Sequence, residues 1–165
     1  IQFIAIRHIE RSLQVEKEKR LLNLQGVWLL ETHNRSAAMT KYQDLQIQYM
    51  AVISVDDNFN VHGTAYKVRE KNDDPDSEKE YRREERTKSR LEGTLIQDRL
   101  TLLFVTQNAQ GLPSFQSIDA VFRIASNEPR INGSFADEVG SQIGDVCGLK
   151  LLDAKSNGKN WFPCN

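Results

Sequence analysis

From Leu45 to Val55 the apolar side chains Leu45, Ile47, Tyr49, Ala51, Ile53 and Val55 occupy every second position, with Gln46, Gln48, Val52 and Ser54 between them. That period places one row of side chains on each face of a β-strand and gives a helix no continuous stripe. Segments of related character precede and follow it: Gly26 to Thr32, Phe59 to Arg69, Tyr81 to Ile96, Leu100 to Thr106, Phe115 to Ile124, Arg130 to Ala136 and Ile143 to Leu151. Eight strands are predicted, with turn residues between them.

The connections alternate in length. Asp56 to Asn58, Gln97 to Arg99 and Ser126 to Pro129 are tight, whereas His33 to Asp44, Glu70 to Glu80, Gln107 to Ser114 and Asp137 to Gln142 are long. In an up-and-down meander alternate connections share an end, so the short turns close one end and the long loops rim the other. The expected fold is mainly β: an eight-stranded antiparallel up-and-down barrel with one mouth, closed so that no strand edge is left unpaired, and preceded by an N-terminal α-helix. A weak repeat agrees with this. Val61-His62-Gly63-Thr64-Ala65, Leu91-Glu92-Gly93-Thr94-Leu95 and Ile131-Asn132-Gly133-Ser134-Phe135 share one pattern of apolar, polar, glycine, hydroxyl and apolar residues. Glycine recurring at matching places inside strands suggests close backbone approach where a sheet curls.

With 165 residues the chain fits one core, and its 22 basic against 23 acidic side chains leave a net charge of -1. Counterion-release binding needs a strongly basic face, so a nucleic-acid polymer is not expected as a partner. No apolar run reaches the roughly 18 residues that a membrane helix requires. The two cysteines, Cys147 and Cys164, suffice for one bridge at most and exclude a disulfide scaffold or an all-cysteine zinc site.

Ahead of the first strand, Phe3 to Leu24 carries Ile6, Ile9, Leu13, Leu21 and Leu24 among many charges, which predicts an amphipathic helix. The turn from Glu16 to Arg20 has no apolar residue, so a partly solvated flanking helix is expected. The resulting division is a helix or linker over 1–24, a barrel domain over 25–152 and a C-terminal tail over 153–165. The helix is taken as an accessory element; the alternatives are an oligomerisation helix that builds a homo-oligomer, and a membrane anchor or partner-binding stalk.

Leu24-Gln25-Gly26-Val27-Trp28, at the head of the first strand, resembles the Gly-x-Trp opening of the lipocalins and their barrel relatives, the calycins. The resemblance implies an eight-stranded barrel whose closed end is plugged by Trp28. Lys150 is the nearest basic candidate for the last-strand arginine that covers this tryptophan in lipocalins. A small barrel with a helical lead-in is also similar to the barrel sensors of bacterial antiphage cyclic-nucleotide systems. That similarity implies nucleotide binding in antiviral defense, with anchoring through the helix.

Catalytic chemistry has little to build on. His8, His33 and His62 fall on the helix, on a loop and on a strand, with no motif partner, so no catalytic residue and no enzyme are expected. The acidic run Asp73, Asp74, Asp76, Glu78 and Glu80 lacks the glycine turn and terminal glutamate of an EF-hand loop and is taken as a solvated rim loop. No metal and no cofactor are implied.

Binding is better supported. If Leu91, Gly93 and Leu95 face inward, period two carries Thr87, Glu85, Arg83 and Tyr81 up the same face; on the preceding strand Val61, Gly63 and Ala65 continue to Lys67 and Arg69. Cations near the lip of an apolar barrel suit a small molecule with an anionic group, and Tyr49 and Phe104 offer rings to its body. The candidate ligand-binding residues are Tyr49, Lys67, Arg69, Arg83, Thr87 and Phe104. The expected function is a non-enzymatic barrel that binds an anionic small-molecule ligand at its mouth, in the sharpest form a cyclic nucleotide. The competing expectation is a protein-interaction or structural module with a self-filled barrel, in which Arg82, Arg83, Arg86, Lys88 and Arg90 are balanced by Glu84, Glu85 and Glu92 on a solvated strand.

Overall fold

Eight strands close into a ring behind one long helix. A computed structural model describes residues 2–139 and 141–151; the expected tail over 153–165, Cys164 with it, and residue 152 lie outside the described residues. Helix α1 (Gln2–Leu24) leads into β1 (Gly26–Ser36), β2 (Gln46–Val55) and β3 (Asn60–Lys71). After the two-residue β4 (Lys79–Glu80) come β5 (Lys88–Ile96), β6 (Arg99–Gln107), β7 (Pro113–Ala125), β8 (Glu128–Asp137) and β9 (Gln142–Lys150). Each strand pairs antiparallel with its neighbours in the chain, β3 with β5, and β9 returns to β1. The expected up-and-down barrel is therefore closed, and β4 only adds two pairs to β3 above the start of β5.

The short reversals lie together at one end. Phe59, Gln97, Ser126 and Asn127 take left-handed backbone there, with φ of 60°, 55°, 50° and 63°. In the first of these turns the Asp56 carboxylate accepts the backbone N–H groups of Asn58 and Asn60, both at 2.9 Å, and the Asn60 side-chain amide at 2.8 Å. Such local bonds hold a tight turn without help from the core. The repeated glycines have the use expected of them: a Cβ on Gly63, Gly93 or Gly133 would lie 2.1, 1.9 or 2.2 Å from the carbonyl oxygen of Val52, Thr101 or Asp119 on the neighbouring strand.

The same end is sealed from inside. Trp28 is fully buried, its indole N–H donates to the Leu24 carbonyl at 2.8 Å, and its ring meets Phe122 edge-on at 6.2 Å. Lys150, directly opposite Trp28 on β9, donates from Nζ to the carbonyls of Leu22 and Asn23 at 2.9 and 3.0 Å, which ties off the last turn of α1. Above this floor the core is contributed by alternate residues of every long strand, among them Leu30, Ile53, Leu91, Leu102, Ile118 and Ile131.

Two expectations need correction. Strand β1 continues four residues past Thr32 to Ser36, so His33 lies on a strand and not on a loop. The segment from Tyr81 to Ile96 is not one strand: Arg83–Glu85 forms a single 3₁₀ turn between β4 and β5. Five consecutive charged residues, Arg82 to Arg86, offer no apolar alternation to bury, and Glu85 folds back to accept the Arg82 N–H at 3.2 Å. Helix α1 is solvated over most of its length and buried at its last turn. Ile6, Ile9 and Leu13 are 53%, 59% and 66% exposed, while Leu21 and Leu24 are buried and Lys17 lies 5.4 Å over the Phe59 ring.

Candidate functional site

The inner wall changes character along the barrel axis. On β1 the inward row climbs from Trp28 and Leu30 to Thr32 and Asn34, all four buried. On β7 it climbs from Phe122, Ala120 and Ile118 to Gln116, and on β8 from Ile131 and Phe135 to Asp137. An apolar lower half thus gives way to a polar upper half at the end with the long loops. Asn34 bonds Gln142 across the wall and also donates to the Tyr42 carbonyl at 2.6 Å, while Ser89 and Thr106 share a hydrogen bond. Thr32 is different. It is 1% exposed, and its hydroxyl has no hydrogen-bond partner among the described residues. A buried hydroxyl left in that state costs free energy on the order of 1–3 kcal/mol.

Tyr49 projects from β2 into this upper half and packs edge-on against Phe104 of β6, with ring centroids 5.5 Å apart. Both rings lie on the inner wall, as the alternation predicted. Burial, and after it the charges of Asp137 and Glu70, push the Tyr49 phenol far above its ordinary range, so it is a neutral hydroxyl at any physiological pH.

The cations are placed otherwise than the strand count suggested. Tyr49 pairs with Lys67 and Gln48 with Arg69, so Val68 is an extra residue and β3 carries a bulge there. A bulge reverses the facing of everything beyond it. Lys67 stays inside, but its inward companion is Glu70, with which it forms an ion pair. Arg69 turns to the outer face beside Gln48, where it is 8% exposed and approaches Glu78 and Glu80 at 3.5 and 3.9 Å. Arg83 stands exposed on the 3₁₀ turn at the rim, and Thr87 is exposed beside it, its carbonyl accepting the Lys67 N–H at 3.0 Å. Tyr49, Lys67 and Phe104 are therefore brought together; Arg69, Arg83 and Thr87 do not share the interior with them. Of the rim cations, Arg90 pairs with Glu92 at 3.2 Å, while Arg83, Arg86 and Lys88 form no ion pair among the described residues.

Tyr81, just after β4, closes one side of the lip. Its hydroxyl donates to Glu70, and its ring lies under the ammonium groups of Lys67 and Lys79 at 5.2 and 4.7 Å. Burial and the Glu70 bond push this phenol up as well. Glu70 itself is raised by burial, but the bonds from Lys67 and Tyr81 and the two lysine charges outweigh that and hold it below the usual carboxylate range. Asp137 is pushed up by burial, against the Val139 N–H that it accepts at 2.7 Å.

Thr32, Glu70, Gln116 and Asp137 did not figure among the sequence candidates. Gln116 and Asp137 were within reach, since each is two residues from an apolar inward position; Glu70 was hidden by the bulge. Among the described residues no group of three His, Cys, Asp or Glu side chains is arranged to hold a metal ion, and no helix is long and apolar enough to cross a membrane. Two hollows outside the barrel, about 460 Å³ between α1 and the floor and about 320 Å³ over Gly93, contain no buried polar atom without a partner. The architecture is a closed eight-stranded antiparallel barrel with a tryptophan at its floor, consistent with a calycin-like fold, and in comparison with known proteins the chain matches no family model and no curated sequence.

Proposed function

We propose that this protein is a non-enzymatic receptor for a small ligand that enters at the loop-bearing end of the barrel. The observation that carries the proposal is the Thr32 hydroxyl: a buried, inward-facing polar atom without a partner among the described residues, at the level where the lining turns polar. A barrel filled for structural reasons alone has no use for such a group, whereas a bound molecule would satisfy it. The ligand's body would lie against Tyr49 and Phe104. An anionic group on it would be met at the rim by Arg83, Arg86 and Lys88 and, just inside, by Lys67. The resemblance to the barrel sensors of antiphage systems makes cyclic nucleotides the first class to test, and antiviral defense the setting if they bind.

Calorimetry with a panel of cyclic dinucleotides provides the test. Binding is expected with a salt dependence that falls in Arg83→Ala, because a contact between guanidinium and phosphate is lost. No heat with any member of the panel overturns the cyclic-nucleotide form of the proposal.

The outward apolar residues of α1 favour a second reading, in which the helix docks on a protein partner or on another copy of the chain. Phe3 and Ile4, 83% and 76% exposed, add to the exposed Ile6, Ile9 and Leu13. Sedimentation of the chain with and without residues 1–19 separates the two: assembly that disappears with the helix supports the second.

A further inference from the structure

The charges inside the lip are not those on its rim. Facing the Tyr49 phenol are Asp137 from β8, Glu70 from β3 and the Tyr81 hydroxyl from the segment after β4. Two ammonium groups serve Glu70: Lys67 is ion-paired with it, and Lys79, its register partner on β4, lies on the same face. Arg69 points to the outer face and Arg83 to solvent. Among the described residues no cation forms an ion pair with Asp137, which is the uncompensated carboxylate of the inner lip and is pushed up by its partial burial. A carboxylate accepts up to about four hydrogen bonds and donates none, and one Asp137 oxygen is used by the Val139 N–H. An anion placed beside Asp137 would meet like charge. Below lies Thr32, whose hydroxyl can donate or accept.

We infer that the deep end of the mouth takes an uncharged hydrogen-bond donor, such as the amino group of a heteroaromatic ring, with Asp137 as its acceptor and Thr32 beneath it, while any anionic part of the same ligand stays outside at Arg83, Arg86 and Lys88. The inference rests on the receptor proposal above and adds to it the orientation and head-group chemistry of the ligand. Asp137 is then a specificity-determining residue. It favours donors and rejects acids.

The test uses amide-resolved NMR of the full chain with three probes of one size: aminopyrimidine, pyrimidine and pyrimidine carboxylate. Aminopyrimidine is expected to shift the amides of Thr32, Tyr49 and Asp137, with a dissociation constant about tenfold below that of pyrimidine, the worth of one charge-assisted hydrogen bond. The carboxylate is expected to shift only the amides from Arg83 to Lys88. In Asp137→Asn the carboxylate should begin to move the inner amides, and Thr32→Val should weaken the amino probe while leaving rim shifts unchanged. Preserved dispersion in both spectra shows that the variants fold. A carboxylate that moves the inner amides of the unaltered chain as strongly as aminopyrimidine overturns the inference. So does a response confined to the rim for all three probes, which leaves the receptor proposal standing; silence at rim and interior alike removes both.

Discussion

Glu70 and Asp137 sit on the same lip and titrate in opposite senses. The folded pKa of Glu70 is depressed, so the unfolded chain takes up its proton more readily than the folded one. Its contribution to stability is full above the unfolded value of about 4.3 and is lost as the pH falls through the lower folded value. Asp137 is raised by burial, so charging it costs the fold free energy, a cost that appears as the pH rises from the unfolded value through the raised folded one. In urea unfolding, Glu70→Gln is therefore expected to destabilise at neutral pH and to match the parent in strong acid, whereas Asp137→Asn is expected to stabilise at neutral pH and to converge in acid. A loss of stability for Asp137→Asn at pH 7 would contradict the burial argument. These two residues also mark where the sequence stopped being legible. Tyr49 and Phe104 could be placed inside because simple alternation holds on β2 and β6. The side chain inside at the top of β3 could not, because one extra residue at Val68 exchanges Arg69 for Glu70 and no local signal announces it.

At the level of the strands, the readable signals were turns and glycines. Tight turns specified β2–β3, β5–β6 and β7–β8, and the glycine repeat specified where the wall closes up. Gly93→Ala should cost about 1–3 kcal/mol or more, because the new methyl would come within 1.9 Å of the Thr101 carbonyl and two paired backbones would have to separate. Gly111→Ala makes the matching control. It has φ of +77° but nothing within 4 Å of an added Cβ, so only the backbone preference is lost, about 1 kcal/mol. Comparable urea midpoints for the two variants would show that contact between strands is not what Gly93 provides. What the sequence misrepresented was the stretch from Tyr81 to Lys88. Period two was counted through residues that are nearly all charged, and a row of charges carries no information about facing because either face can be wet.

For the molecule as a whole, stability belongs to the ring and its floor, while the leading helix is attached only by its end. Removing residues 1–19 should shift the thermal midpoint by a few degrees at most, since Ile6, Ile9 and Leu13 bury little. Leu24→Ala should cost about 2–5 kcal/mol, because its fully buried side chain closes the floor under Trp28. Calorimetric scans of both forms check this, and a collapse on truncation would mean that the helix packs more widely than its exposure allows.

The two ends of the ring also differ in how much novelty they could absorb. Reversals of two to four residues with left-handed backbone cannot be lengthened without disturbing the register of both strands they join. The connections over 37–45 and 72–87, nine and sixteen residues long, leave more room for change. Descendants of a gene encoding such a ring would be expected to diverge at one pole only, acquiring new recognition by exchange of loops while inheriting the same base.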